Sequence, residues 1–154
     1  MSSPGVRFPP PLLFVAGFAA GWVIEQLVLP FPFTRRHDVW LMSSGVTVMI
    51  AGAALALWGV VTFRAARTAI LPFHSASRIV TSGPYRFTRN PMYTGFTLAH
   101  VGSALAVNSI WPVLLLPIVI ALLVRFVIHR EEAYLRRAFG EEYEAYCTRV
   151  RRWL

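Results

Sequence analysis

Apolar residues in this chain gather into four long runs, and the breaks between the runs are polar and rich in proline. The first run covers about 12–29, follows Pro9-Pro10-Pro11 and stops at Leu29-Pro30-Phe31-Pro32-Phe33. About 18 apolar residues is close to the minimum for a helix that crosses a bilayer. The second run, about 39–63, carries Gly45, Gly52 and Gly59 at seven-residue spacing. That spacing puts all three on one helix face, where the missing side chains let a neighbouring backbone approach closely in lipid. A third run, about 93–107, is separated from the fourth, about 110–128, only by Asn108-Ser109. Asn and Ser are turn and helix-cap residues, so runs three and four are predicted to form a helical hairpin, with the pair capping the second helix. Beyond Val124 the fourth pattern becomes amphipathic and continues to Phe139, with Gly140 as its stop. A helix of that length would protrude from the membrane.

These patterns predict an all-α integral membrane protein of about four transmembrane helices, with one domain over 1–154 and a protruding amphipathic C-terminal helix. Composition agrees: 56% of the 154 residues are hydrophobic and the mean hydropathy is +0.54, too apolar for an ordinary soluble domain. The net charge of +8 comes from 15 arginines and no lysine. They flank the apolar runs instead of forming one basic tract, which argues for membrane topology and against nucleic acid as a partner. Five lie between Arg64 and Arg89, seven between Arg125 and Arg152, and none at the Asn108 turn. The positive-inside rule therefore places both charged segments, and the N-terminus, on the cytoplasmic side, with Arg35 and Arg36 as the exception in the first outer loop. The N-terminal run resembles a signal peptide but lacks its cleavage pattern, and is expected to stay as the first span. Arginine without lysine points to a bacterial chain, hence to the bacterial inner membrane. The single Cys147 has no intramolecular disulfide partner.

Chemistry is expected in the break between runs two and three. From Thr81 to Gly95 it reads Thr-Ser-Gly-Pro-Tyr-Arg-Phe-Thr-Arg-Asn-Pro-Met-Tyr-Thr-Gly. Gly83-Pro84 predicts a turn, and Asn90-Pro91 predicts a helix that begins at the proline. Tyr85, Arg86, Arg89 and Tyr93 supply aromatic faces and donors beside free backbone amides, a set that suits a nucleotide-like ligand or, more simply, an interfacial anchor. At the base of the fourth helix, an ideal wheel places Glu131 with Val124, Val127, Ile128 and Leu135 on the apolar side. Glu132 falls with Arg125, His129 and Arg136 on the polar side. Glu131 should therefore meet a donor or cation, such as Arg86 or Arg89, while Glu132 should pair locally on a solvated surface. Glu25, inside the first span, is an ionisable group of the kind that marks function in membranes, although it lies near the helix end. His74 and His100 lack the spacing of metal ligands, so no metal site is expected.

The motifs Ile79-Val80-Thr81-Ser82-Gly83-Pro84-Tyr85-Arg86, Arg89-Asn90-Pro91-Met92-Tyr93-Thr94-Gly95, Glu131-Glu132-Ala133-Tyr134-Leu135 and Phe139-Gly140-Glu141-Glu142-Tyr143 with Tyr146 resemble, in order and spacing, the isoprenylcysteine carboxyl methyltransferase and phospholipid methyltransferase superfamily. The resemblance covers about the last half of the chain, 77–150. It implies an S-adenosylmethionine-dependent methyltransferase acting on a hydrophobic small molecule or lipidated acceptor in the lipid bilayer. By that pattern Ile79, Val80, Tyr85, Asn90, Pro91, Met92, Tyr93 and Glu131 would bind the cofactor, with Arg89 and Arg125 as the cations that would orient an anionic acceptor. Asn90 stands where the eukaryotic carboxyl methyltransferases carry histidine, and the substrate arginine of those enzymes falls on Val127. Arg125 is displaced by about 120° from Glu131 on an ideal helix. Two other readings fit parts of the pattern: a nicotinamide-dependent membrane reductase related to sterol reductases, and a non-catalytic membrane protein that keeps the fold.

Overall fold

The computed structural model describes residues 8–34, 38–67 and 77–153, and all their regular structure is helical. The helices are α1 (Pro11–Leu27), α2 (Val39–Ala65), α3 (Pro91–Ala106), α4 (Trp111–Leu123), α5 (His129–Phe139) and α6 (Glu141–Arg149). Helix α4 runs through a π turn, Val124–Ile128, directly into α5, so Trp111–Phe139 is one continuous helix of 29 residues. By length and composition two helices could cross a membrane, Val39–Ala65 and Trp111–Phe139; the apolar α1 is shorter. His74 lies outside the described residues.

Helix α3 is the centre of the bundle. Helix α2 packs along one side of it, while α1 and α4 pack against each other and both touch its other side. The α2–α3 seam follows from the glycine stripe. A Cβ on Gly52 would lie 2.5 Å from Ala99 N and from Gly95 O, and one on Gly45 2.5 Å from Ala106 N, so only hydrogen fits between these backbones. Gly21 meets the Pro112 backbone in the same way, which is how Gly17-Phe18-Ala19-Ala20-Gly21 brings α1 onto α4. The core sits where α1, α3 and α4 meet, around Phe14, Tyr93, Leu116, Leu123 and a fully buried Val127.

The end of the bundle opposite the loop is sewn together by polar contacts. Asn108, at φ +54°, exchanges hydrogen bonds with Thr34 instead of capping α4, whose N-cap is Ile110 without a side-chain bond. The expected cap is therefore a clasp: two apolar helices can start from a backbone turn, whereas the 31–34 segment had polar groups to satisfy. Glu25 belongs to the same clasp. Its carboxylate is buried and accepts from the Phe31 amide (2.8 Å) and the Ser109 hydroxyl (2.9 Å), so both oxygens have structural partners. His100 is likewise architectural, with Nε2 2.9 Å from Pro112 O and Phe18 at its ring edge.

Candidate active site between the loop and the long helix

The loop from Ser82 to Asn90 is built from the backbone outward. Gly83 sits at φ +58°, and a Cβ there would lie 2.7 Å from Thr62 Oγ1, so glycine alone satisfies both the turn and the contact with α2. The 3₁₀ turn Gly83–Arg86 then buries Tyr85 against Phe63, ring centres 4.9 Å apart. Burial, followed by the neighbouring Tyr146 and Glu131, pushes the Tyr85 hydroxyl well above the usual phenol range, so it stays protonated. Asn90 adopts a non-helical conformation and Pro91 opens α3, as the proline predicts. The first intrahelical acceptor is Asn90 O, which takes the Thr94 amide. The amides of Met92 and Tyr93 thus precede the helical ladder and point out of the N-terminus.

One turn into α3, the Tyr93 hydroxyl donates to Glu131 Oε1 at 2.8 Å. Glu131 lies beyond the apolar stretch that ends at Ile128. The residue as a whole is half-buried, but its carboxyl group is enclosed. Burial pushes its pKa up to about 7, the Tyr93 hydrogen bond pulls it back down, and the charge of Glu132 adds to the rise. No ion pair to Glu131 occurs among the described residues. The expected loop arginines are elsewhere: Arg86 is exposed beside the Phe87 ring, and Arg89 points to the next glutamate.

Glu132 lies where the wheel does not put it. It is 5% exposed, not solvated, and Arg152 grips it with two bonds, Nε to Oε1 (2.9 Å) and NH2 to Oε2 (2.7 Å), while Arg89 NH1 lies 3.4 Å from Oε1. The π turn supplies the reason. A π turn holds one residue more than an α turn, so everything after it lags by about 100°. Glu132 therefore takes the azimuth that an unbroken α-helix would give Glu131, while Glu131, one residue behind it, reaches Tyr93 of α3. The regular wheel had no means of placing this bulge.

The remaining site residues divide. Tyr85, Asn90, Pro91, Met92, Tyr93 and Glu131 gather around the start of α3. Ile79 and the buried Val80 instead line an open groove of about 530 Å³ with Trp58, Thr62 and Gly83, whose walls do not include Tyr93 or Glu131. Arg125 is exposed within the π turn, 5.9 Å from the Phe126 ring centre. Arg89 reaches Cys147 Sγ (2.8 Å) and Tyr143 (3.5 Å) besides Glu132, and its buried Nε has no partner. The C-terminal segment, in which the sequence singled out Tyr146 but no partner for it, adds contacts to the loop. Tyr146 donates to Tyr85 O (2.8 Å), the Arg89 amide to Arg151 O (2.9 Å), and Thr88 Oγ1 and Asn90 Nδ2 both to Arg152 O (2.9 and 3.0 Å).

The profile of the phospholipid methyltransferase family matches residues 40–142, which takes in the loop, Tyr93 and both glutamates. The chain belongs to the phospholipid methyltransferase family. Among curated relatives of this family member, a rice protein (Oryza sativa subsp. indica) named probable protein-S-isoprenylcysteine O-methyltransferase is 28% identical over 131 residues, 83% of this chain and 69% of the relative. Protein-S-isoprenylcysteine O-methyltransferase B of Arabidopsis thaliana is 28% identical over 129 residues, 82% of this chain and 64% of its own. The nickel-cobalt-cadmium resistance protein NccN of Alcaligenes xylosoxydans xylosoxydans is 27% identical over 153 residues, 96% of this chain and 70% of that protein. No solved structure matches the chain.

Proposed function

We propose that this phospholipid methyltransferase family member uses S-adenosylmethionine to methylate a membrane-partitioned acceptor, a hydrophobic small molecule or lipidated group, at the cytoplasmic face of the bacterial inner membrane. One observation carries the reading: Glu131 is an enclosed carboxyl group whose partner is a neutral phenol and not a cation. An anionic group kept without a cation, next to buried aromatic rings and two outward-pointing helix amides, suits a ligand with both a positive centre and a carboxylate.

The roles then follow from the residues. Glu131 offers the charge that meets a cationic ligand, and Tyr93 fixes the direction of that charge through its hydroxyl. The Met92 and Tyr93 amides offer donors to a ligand carboxylate at the positive end of α3. Tyr85 stays protonated and presents an aromatic face. Arg125, exposed beside the membrane-facing part of the helix, would orient an anionic acceptor; Arg89, otherwise engaged, contributes at most its free Nε–H. When bound, S-adenosylmethionine supplies an activated methyl group, and the transfer depends chiefly on alignment and water exclusion. The C-terminal segment folded over the loop serves the exclusion of water.

The test is binding of labelled S-adenosylmethionine to the full chain in lipid nanodiscs, with NADPH as comparator. The expected result is saturable binding of the former, lost in Glu131→Ala and Tyr93→Ala. Binding of NADPH alone, or of neither, overturns the reading. Mass spectrometry of membrane extracts incubated with the deuterated-methyl cofactor then identifies the acceptor and its methylated atom.

A further inference from the structure

Arg152 sits in the C-terminal segment, 20 residues beyond Glu132 and more than 60 beyond the loop, yet it touches both. Its guanidinium forms a two-bond fork on Glu132, the geometry in which arginine binds carboxylate most firmly. Its carbonyl accepts from Thr88 Oγ1 and Asn90 Nδ2, and the preceding carbonyl, Arg151 O, accepts the Arg89 amide. Thr88 is 1% exposed, and its hydroxyl also receives the Asn90 amide at 3.2 Å, so the turn into α3 is fixed from the C-terminal side. Trp153 anchors the segment by packing against the core formed by α1, α3 and α4. One residue thus joins the element that carries Tyr93 to the element that carries Glu131.

We infer that Arg152 is a positioning residue of the site: its fork compensates the charge of Glu132 and its carbonyl holds the Asn90 turn, so that Glu131 stands against Tyr93 as the free carboxylate of the pair. The inference deepens the proposed function and rests on it for the identity of the ligand. Charge compensation is what makes the arrangement work. Two adjacent buried carboxylates do not ionise together readily, because each charge raises the cost of the other. Arg152 and Arg89 face Glu132, which leaves Glu131 facing Tyr93 from α3 and Tyr85 from the loop, neither of them charged. Without Arg152, the charge of Glu132 would be less compensated and would act on its neighbour. Glu131 would then hold its proton to higher pH, and the site would present a neutral acid to a cation.

This separates a positioning role from a merely structural one. The full chain in nanodiscs is titrated by infrared difference spectroscopy of the protonated carboxyl band, with Glu131→Gln as the reference that isolates Glu131. Arg152→Gln is expected to move the Glu131 midpoint to higher pH by about one unit, and Glu132→Gln combined with Arg152→Gln is expected to bring it back to or below the wild-type value. Arg152→Lys, which keeps the charge but not the fork, should give a smaller shift and carries the test if Arg152→Gln proves too unstable to purify. The affinity that Arg152→Gln loses for S-adenosylmethionine at neutral pH should return at alkaline pH, which damage to the fold would not allow. An unmoved midpoint in the single variants, or a double variant that keeps the shift, overturns the inference. Wild-type protein that shows these shifts but binds no S-adenosylmethionine would overturn the proposed function and leave the role of Arg152 standing.

Discussion

Tyr93 and Glu131 form the smallest unit on which the chemistry can be tested. A hydrogen bond to a charged group contributes about 1.5–3 kcal/mol, and its loss leaves the carboxylate free to turn. Tyr93→Phe keeps the ring and removes only the donor, so S-adenosylmethionine affinity should fall by about tenfold, read by equilibrium binding, with little change in helical content. The pH dependence runs in two opposed directions. Because burial raises Glu131 from the ordinary carboxylate value to about 7, folding favours the protonated acid. Its contribution to stability is full below the unfolded value and is lost as pH rises through about 7. Binding of a cation requires the ionised form, so cofactor affinity should instead increase through the same range. Measured between pH 5.5 and 8.5 (roughly 1.5 units either side of that midpoint), affinity should climb in the wild type and stay flat in Glu131→Gln. A flat wild-type profile would remove Glu131 from the role.

At the scale of elements, the π turn sets the register of α5 and turns Glu132 inward, and it makes a prediction with an unusual sign. A π turn accommodates one extra residue within an otherwise regular helix. Deleting the exposed Phe126 should convert it to an α turn and leave α5 in its present orientation, so binding should survive. Inserting one alanine after Ile128 lengthens the chain by the same single residue but rotates α5 by about 100°, and should abolish binding. Circular dichroism should find both variants helical; equal loss in both would show that the bulge does not set the register. The bulge also marks how far the sequence could be read. Four apolar runs, their proline stops and the Gly45, Gly52 and Gly59 stripe predicted α1 to α4 to within a few residues, because these signals are local and periodic. The Tyr93–Asn90 corner was legible for the same reason. Glu132 was not, since a wheel at fixed pitch cannot see a change of pitch. Arg152 was not either, for two of its contacts reach back more than 60 residues along the chain, and both use a backbone carbonyl that carries no residue-specific signal. Asn108 misled because a turn residue has two ways to satisfy itself, and here the distant Thr34 won over the local cap.

Across the whole molecule, helix lengths determine where the site stands relative to the bilayer. Helix α3 has 16 residues, about 24 Å, short of the roughly 30 Å hydrocarbon core, whereas the continuous helix from Trp111 to Phe139 measures about 44 Å. The two share one end, where Trp111 Nε1 donates to Leu29 O and Asn108 binds Thr34. At the other end, therefore, the start of α3 is recessed while α5 stands beyond it, and α6 with residues 150–153 closes over the step. In the proposed reaction, a water-soluble cofactor and a lipid-dissolved acceptor would both have to reach this step. The proposed activity requires that end to face the cytoplasm, where S-adenosylmethionine is made, which is the side the positive-inside rule predicts for it. Single cysteines in a Cys147→Ser background test the orientation directly. Val107 is 49% exposed at the recessed loop's opposite end, and Arg149 is exposed on α6. In intact cells a membrane-impermeant maleimide should label Val107→Cys, and it should reach Arg149→Cys only after the inner membrane is permeabilised. The reverse pattern would place the loop, Tyr93 and Glu131 outside, away from any supply of the proposed methyl donor, and would refute the orientation and the activity together.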